Sequence, residues 1–277
     1  MGFALSHVLI RHISSEISPI QTAFFHNLFG LLLLSPWILK SGLGQMRTSH
    51  FPTHLLRAIL NVSAMLCFFL ALSLIPLAKV TALFFTSPIF AVILSIIILG
   101  ERARLRRWSA VICGFIGVLI ILQPGMQTID LGSILVLASA LLWASAVIVI
   151  KILGRTDTAM TSTGYMSFLM MILAIPPALF VWKTPPLHIW PYLVLIACLG
   201  TLSMLAITQA LREADASALM PYDFLKLVWI SILAYVLFDQ GLDIFIWIGG
   251  AIVFASTFYL AYRESVLAKQ EASASNS

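Results

Sequence analysis

The sequence predicts an all-α integral membrane protein of ten transmembrane helices, arranged as two inverted five-helix repeats. Three features predict this class: a scarcity of charge, a series of charge-free runs, and an internal repeat of the chain. Of the 277 residues, 61% are hydrophobic and only 10% are charged, with a mean hydropathy of +1.03. Soluble domains are roughly 45–50% apolar and about 25% charged, so we expect most of this surface to face lipid.

The charge-free runs are long enough to cross a bilayer. Seven runs of 19 to 25 residues contain no Asp, Glu, Lys, Arg or His, and a membrane helix needs about 20 apolar residues. Two further segments, 17–39 and 216–238, contain one and two such residues. Gly2–Ile13 is apolar but covers only about 18 Å as a helix. It lacks the basic start of a signal peptide, so we interpret it as a shortened, uncleaved first helix.

The second half of the chain repeats the first at a shift of 140 residues, which becomes 139 after the second helix. Pro36 pairs with Pro176, and Trp108 pairs with Trp247. Five helices per copy is an odd number, so the second copy is predicted to enter the membrane from the opposite side. The predicted helices are 1–13, 19–39, 55–75, 80–99 and 108–122, then 134–153, 160–182, 189–211, 216–238 and 243–262.

These helices divide the chain into repeat 1 over 1–126, repeat 2 over 131–263 and a polar tail over 264–277, which we expect to be disordered. Twelve of the 16 Lys and Arg residues fall on one side of the predicted bundle, whereas Arg11, Lys79 and Lys183 fall on the other. Basic residues concentrate on the cytoplasmic side of membrane proteins. We therefore expect a multi-pass protein of the bacterial inner membrane with both termini in the cytoplasm.

The most informative charges are Asp223 and Lys226, which lie within the predicted ninth helix. They are three residues apart, so they share a helix face and can pair. Each unpaired charge costs about 2.5–3.5 kcal/mol near the centre of a bilayer, even on insertion scales. The pair either contributes to a solute pathway or only orients the helix. Two prolines, Pro88 and Pro221, are expected to kink the fourth and ninth helices.

Polar and aromatic residues within other predicted spans are candidates for the wall of a solute pathway. Amides in such positions also bond between helices, at about 0.6 kcal/mol each, so both roles stay open. His26 is a candidate proton relay or a packing residue. The candidates are Asn27, Asn61, Trp143, Tyr165, Gln209 and Tyr222, together with Asp223 and Lys226.

The sequence gives no indication of a cofactor or a metal site. Cys67, Cys113 and Cys198 lie within apolar spans and lack metal-ligand spacing. No Gly-x-x-x-x-Gly-Lys-Ser/Thr motif for nucleotide binding is present. The net charge of +5 reflects loops that face anionic lipid and not a nucleic-acid interface. Membrane lipid and a small-molecule substrate are the expected partners, and homodimer formation is left open.

The following motifs carry a resemblance to a known family: Arg57–Asn61, Ala71–Ala78, Ser87–Phe90, Leu99–Glu101, Arg107-Trp108, Gly114–Val118, Trp143-Ala144, Ala218–Tyr222 and Leu237-Phe238. In this order they resemble EamA-type domains of the bacterial drug/metabolite transporter superfamily. The resemblance covers residues 1 to about 263 and implies ten helices around a central cavity that opens alternately to either side. It departs from the family where the Gly-Glu after the fourth helix, Gly100-Glu101, becomes Asp239-Gln240 in the second half.

The resemblance implies a secondary transporter, and not an enzyme, that moves a small polar organic metabolite by alternating access. Relatives of this superfamily carry amino acids, S-adenosylmethionine, riboflavin, sugars or toxic cations, and the second half is most similar to carriers of metabolites and cofactors. Two alternatives are weighed against this function. One is an integral membrane enzyme acting on lipid-linked substrates, which needs clustered acid, base or metal groups. The other is a channel or a structural membrane subunit.

Overall fold

The computed structural model describes residues 2–41, 50–99, 105–123, 129–153, 159–213, 216–241 and 243–275. Within these ranges it describes the side chains of all residues except 37–41, 99, 105–107, 151–153, 159–164, 205, 207–213, 216–225, 260–261, 263–265 and 267–275. The described residues are mostly helical, and no strand occurs among them. The helices are α1 (Gly2–Ile13), α2 (Pro19–Ser41), α3 (Phe51–Leu74), α4 (Leu77–Phe84), α5 (Ser87–Leu99), α6 (Leu105–Leu122), α7 (Leu131–Leu153), α8 (Ala159–Phe180), α9 (Trp190–Glu213), α10 (Ala216–Phe238) and α11 (Ile244–Ser275).

The bundle is apolar outside and contains polar side chains inside. Ile97 and Phe180 are 72% and 91% exposed, whereas Gln21 and Asn61 are 0% and 2% exposed. A surface of this kind suits lipid. Among the described residues, four helical stretches are long and apolar enough to span a membrane, namely Phe51–Leu74, Leu77–Ile98, Leu131–Ile150 and Leu187–Met204. Shorter apolar helices accompany them over Trp108–Leu122, Tyr165–Phe180, Lys226–Phe238 and Ile244–Tyr259.

The predicted fourth helix, 80–99, is divided into two helices, so the chain is interrupted near Pro88, where the sequence predicts a kink within one helix. α4 ends at Phe84 and α5 begins at Ser87, just before Pro88. Proline has no N–H to donate to the preceding turn, so the backbone ladder is interrupted there. The Thr257 hydroxyl on α11 donates to the Phe85 carbonyl at 3.2 Å. The neighbouring helix therefore provides a hydrogen bond at the interruption.

The last helix also differs from the sequence-based expectation. α11 continues to Ser275, whereas the sequence predicts a disordered tail over 264–277. The added segment is rich in Ala, Glu, Lys and Gln, which have high helix propensity. The low complexity of this segment favoured a prediction of disorder. Its residue types also favour helix, and in the structure the preceding helix continues through it.

Contacts between the helices link the two halves of the chain throughout the bundle. α1 packs on α9 and α10, while α7 packs on α3, α4 and α5. α2 packs on α8 and α9, and α8 also packs on α3. The pairs α4 with α10 and α6 with α11 also join the halves.

α6 and α11 approach each other closely at two glycines. A Cβ atom at Gly117 would lie 2.8 Å from the Gly249 carbonyl oxygen, and one at Gly249 would lie 2.6 Å from the Gly117 carbonyl oxygen. Small residues permit this close backbone approach in membrane bundles.

Polar contacts concentrate at one end of the bundle, which we call the Lys79 end. The Lys79 Nζ atom lies 2.7 Å from Asp130 Oδ2, which joins the start of α4 to the start of α7. Burial tends to raise the pKa of the Asp130 carboxyl, but the hydrogen bonds from Lys79 and from the Ser133 backbone outweigh it and lower the pKa. At the same end, Gln21 exchanges two hydrogen bonds with the Lys183 backbone.

A further tie at the Lys79 end involves the residues that replace the Gly-Glu pair. Asp239 follows α10 with φ 51°, a left-handed conformation that favours Gly but that Asp adopts more readily than most residues. The next side chain, Gln240, accepts the Leu77 N–H at the start of α4 through Oε1, at 3.1 Å. The Asp239-Gln240 pair therefore turns the chain after α10 and caps the start of α4 from the other half of the chain.

We expect Gly249→Val to destabilise the bundle, because the new side chain would meet the α6 backbone. Overpacking of this kind costs about 1–3 kcal/mol, and thermal unfolding of the purified protein in detergent measures the loss. Gly241→Ala is the control, because a Cβ atom there meets nothing within 4 Å. Equal unfolding temperatures for both variants and the wild type would contradict the close approach.

We expect Lys79→Met to lower the unfolding temperature by a few degrees at pH 7. The Asp130 carboxyl has a lowered pKa in the folded state, so its stabilisation is present above its unfolded pKa of about 4 and is lost as the pH falls through the folded value. The difference between wild type and variant should therefore shrink below about pH 4. Lys183→Met, at an exposed position of the same end, is the control. A difference that stays constant from pH 7 to pH 3 would argue against the ion pair.

Candidate functional site

One face of α3 carries a stripe of polar and aromatic side chains into the bundle. His54, Arg57, Asn61 and Phe68, which we call the α3 stripe, are spaced by three, four and seven residues. This spacing puts all four on one helix face. They are 1%, 8%, 2% and 9% exposed. Ionisable and amide side chains buried in a membrane helix make this face a candidate functional site.

At one end of the stripe, α3 meets α1 and α10. The His7 ring on α1 lies 4.9 Å from the Phe68 ring, measured between centroids, and 6.3 Å from the Phe3 ring. Lys226 Nζ on α10 lies 6.0 Å from the Phe3 ring centroid, within the range of a cation–π contact. Lys226 is thus placed beside an aromatic and imidazole cluster on α1.

At the other end of the stripe, α3 meets α8. The Tyr165 ring stacks on His54 with centroids 4.9 Å apart and an interplanar angle of 22°. Met166 Sδ lies 3.1 Å from Arg57 Nη2 and 3.8 Å from Asn61 Nδ2. The structure therefore brings Asn61 and Tyr165, predicted from separate helices, to one interface between the halves.

α2 contributes a second imidazole and an amide beside the stripe. The His26 ring lies 5.8 Å from the Phe69 ring and packs so closely on Gly200 of α9 that a Cβ atom at Gly200 would clash with it. The neighbouring Asn27 donates through Nδ2 to the Ala23 carbonyl at 2.9 Å, within its own helix. The Asn27 amide nitrogen is therefore already used within α2, whereas the Asn61 amide oxygen has no partner among the described residues.

We call the α3 stripe, together with the side chains that lie against this part of α3 from α1, α2, α8 and α10, the polar region. Three buried polar atoms in the polar region have no hydrogen-bond partner among the described residues. They are His7 Nδ1, His26 Nδ1 and Asn61 Oδ1. A buried polar atom without a partner costs about 1–3 kcal/mol, so native proteins usually provide water or a ligand. The three atoms come from α1, α2 and α3, and they indicate where a polar solute would gain hydrogen bonds.

Not every predicted site residue is placed in this region. Lys226, Asn61 and Tyr165 lie in it, and Asn27 lies beside it. Trp143 is half-buried on α7 and makes no ring contact among the described residues. The side chains of Gln209, Pro221, Tyr222 and Asp223 lie outside the described residues.

The sequence analysis did not name His7 and His54 as site residues. The available signal was the rarity of ionisable residues in apolar helices, and for His54 also the spacing of three and seven residues to Arg57 and Asn61. Within the described part of the chain, no group of three or more His, Cys, Asp and Glu could hold a metal ion. Separately from that finding, the α3 stripe and its neighbours present hydrogen-bonding atoms and aromatic rings, which are groups that can contact an organic molecule.

Comparison with known proteins identifies the family. The model of the EamA-like transporter family matches residues 1–123 and 130–262. The S-adenosylmethionine uptake transporter of Rickettsia bellii is 27% identical over 93% of this chain and 88% of its own length. The riboflavin transporter of Brucella anthropi is 30% identical over 90% of each chain, and that of Vibrio cholerae is 29% identical over 98% and 93%.

A solved crystal structure shares the fold, with a TM-score of 0.59 and 16% identity over 94% of this chain and 96% of the other. The family and the named relatives are transporters, so this multi-pass membrane protein is a small-molecule transporter and not an enzyme. The prediction made from the sequence motifs is confirmed: the chain belongs to the EamA-like transporter family.

Proposed function

We propose that this transporter carries a small polar organic metabolite with a flat heteroaromatic ring across the bacterial inner membrane by alternating access. The observation that carries the proposal is the set of buried atoms His7 Nδ1, His26 Nδ1 and Asn61 Oδ1, which have no described partner. A polar solute between α1, α2 and α3 would satisfy them. A solute that leaves water for this region therefore replaces some of the hydrogen bonds that it made with water. In a wholly apolar bundle it would lose them all.

The aromatic side chains support the choice of substrate class. Phe3, His7 and Phe68 present rings on one side of the polar region, and His54 and Tyr165 present a stacked pair on the other. Flat heteroaromatic molecules stack on such rings. S-adenosylmethionine and riboflavin, named for the relatives, are both polar molecules with a fused heteroaromatic ring and are the first two probes.

The pattern of helix packing supports two inverted repeats. Exchanging the halves replaces α1 by α7, α2 by α8, α3 by α9, α4 and α5 together by α10, and α6 by α11. Under this exchange, the α1–α9 contact becomes α7–α3, α1–α10 becomes α7 with α4 and α5, and α2–α9 becomes α8–α3, all of which occur. The pairs α2–α8, α4–α10 and α6–α11 map onto themselves. The contacts α1–α3, α2–α3 and α4–α11 have no such counterpart among the principal contacts.

With α4 and α5 counted as one crossing, this arrangement has ten crossings. The bias of Lys and Arg then favours both termini in the cytoplasm and puts the Lys79 end on the opposite side of the membrane. Lipid covers the apolar exterior. The two ranges matched by the family model correspond to the proposed repeats.

We expect Asn61→Leu to reduce transport at least about tenfold, because it removes a hydrogen-bonding group worth about 1.5 kcal/mol or more to a buried solute. The measurement is counterflow of labelled S-adenosylmethionine and of labelled riboflavin into proteoliposomes of the purified protein. Asn27→Leu is the matched control, and we expect a smaller loss because its amide already bonds within α2. Equal activity of Asn61→Leu and wild type would contradict the proposed site.

A second prediction concerns the charges on α10. If Asp223 and Lys226 pair within the bundle, Asp223→Asn and Lys226→Met should each reduce transport and folded yield more than the double variant, because each leaves one buried charge uncompensated. Counterflow and the yield of monodisperse protein test this together. Single variants as active and as abundant as the wild type would exclude both a pathway role and a structural role for the pair.

A further inference from the structure

A second polar region lies at the Lys79 end, away from the α3 stripe. A partly open cavity of about 290 Å³ is bounded by the α3–α4 turn, the start of α7, the end of α10 and the turn before α11. This volume is just below the range for small-molecule sites, about 300–1,000 Å³, and is enough for a small organic group. Both halves of the chain contribute to its wall. Its polar residues are Lys79, Asp130, Ser231, Gln240 and Asp243.

The buried hydroxyl of Ser231 distinguishes this cavity from a depression lined only by surface residues. The residue is 1% exposed, and its Oγ atom has no hydrogen-bond partner among the described residues. Several other buried hydroxyls donate to a carbonyl in the preceding turn of their own helix, as Thr81 does to Leu77 and Ser95 does to Val92. Ser231 therefore has a hydroxyl left for a group that enters the cavity.

The charges of the residues that line the cavity favour a cationic ligand. Lys79 and Asp130 neutralise each other at 2.7 Å. Asp243 adds a second carboxylate, of which Oδ1 accepts the Phe245 N–H at 2.8 Å. Gln240 already uses Oε1 on Leu77. The wall thus carries one net negative charge, and its remaining acceptors include Asp243 Oδ2 and the Ser231 hydroxyl.

The same wall suits an organic cation better than a metal ion. The described residues contain no group of three or more His, Cys, Asp and Glu in metal-binding arrangement. Ala78, Ala234 and Ile246 provide apolar surface next to the carboxylate. Alkyl groups on a substituted ammonium would pack against that surface, whereas a hydrated metal ion would gain nothing from it.

We propose that this cavity binds the ammonium group of an organic cation, with Asp243 as its counter-ion and Ser231 as a hydrogen-bonding or dipolar contact. The site is distinct from the region of His7, His26 and Asn61. Its occupancy does not require the transport activity proposed above, so the two proposals are tested separately.

The test uses a cysteine in place of the buried hydroxyl. Ser231→Cys is made in the full chain with Cys67, Cys113 and Cys198 replaced by Ser, and the purified protein is labelled in detergent. We expect a cationic methanethiosulfonate reagent to react at least about fivefold faster than an anionic one, after normalising both to Leu187→Cys. Leu187 is 87% exposed and lies outside the cavity wall, so it is the matched control.

Tetramethylammonium chloride provides the probe for binding. We expect it to slow labelling of Ser231→Cys at least about twofold more than sodium chloride of equal concentration, since only the organic cation fits the carboxylate and the apolar wall. Asp243→Asn should abolish that protection and reduce the preference for the cationic reagent. Absence of labelling by either reagent, equal rates for both, or equal protection by the two salts would overturn the proposal. The two proposals can fail separately. If labelling responds as expected but the protein shows no counterflow of S-adenosylmethionine or riboflavin, the cation site is supported and the proposed transport function is contradicted.

Discussion

The structure depends on one constraint: within the hydrocarbon of a membrane, polar groups must find partners inside the protein. The hydroxyls of Thr81, Ser95 and Ser256 meet this constraint within their own helices. Others meet it between the halves, as Ser139 does by donating to the Ala64 carbonyl at 2.7 Å. The few described polar atoms without partners are therefore informative. Burying each of them costs free energy, and no hydrogen bond within the described part of the chain offsets that cost.

The break between α4 and α5 is another consequence of the same constraint. An interrupted helix in lipid would expose backbone carbonyls at a cost of several kcal/mol each. Here α11 approaches closely enough for Thr257 to donate to the Phe85 carbonyl. α11 also packs on α6 through Gly117 and Gly249. The hydrogen bond from Thr257 at the break between α4 and α5 therefore depends on the position of α11, which this close contact with α6 fixes.

Much of the fold could be predicted from the sequence, because charge-free runs report directly on burial in lipid. Runs of apolar residues do not report on backbone dihedral angles, so the interruption before Pro88 was predicted only as a kink. The approach of Lys226 to Phe3 and of Tyr165 to His54 joins residues more than 100 positions apart. Such pairs depend on how helices pack, which hydropathy does not specify. Asn61 and Tyr165 were nevertheless predicted as candidates, because any polar or amphipathic side chain within a span needs an internal environment.

On α10, an apolar layer separates the residues beside α1 from the residues that line the cavity at the Lys79 end. Lys226 lies beside Phe3 in the polar region, and Ser231 lines the cavity at the Lys79 end, about 7.5 Å further along the helix. Between them, Leu227 and Ile230 are both 0% exposed, and Gly250 of α11 lies against Leu227. A polar solute passing between the two regions has to displace this apolar layer. Passage by that route would require α10 to move relative to its neighbours, which agrees with the alternating access proposed above.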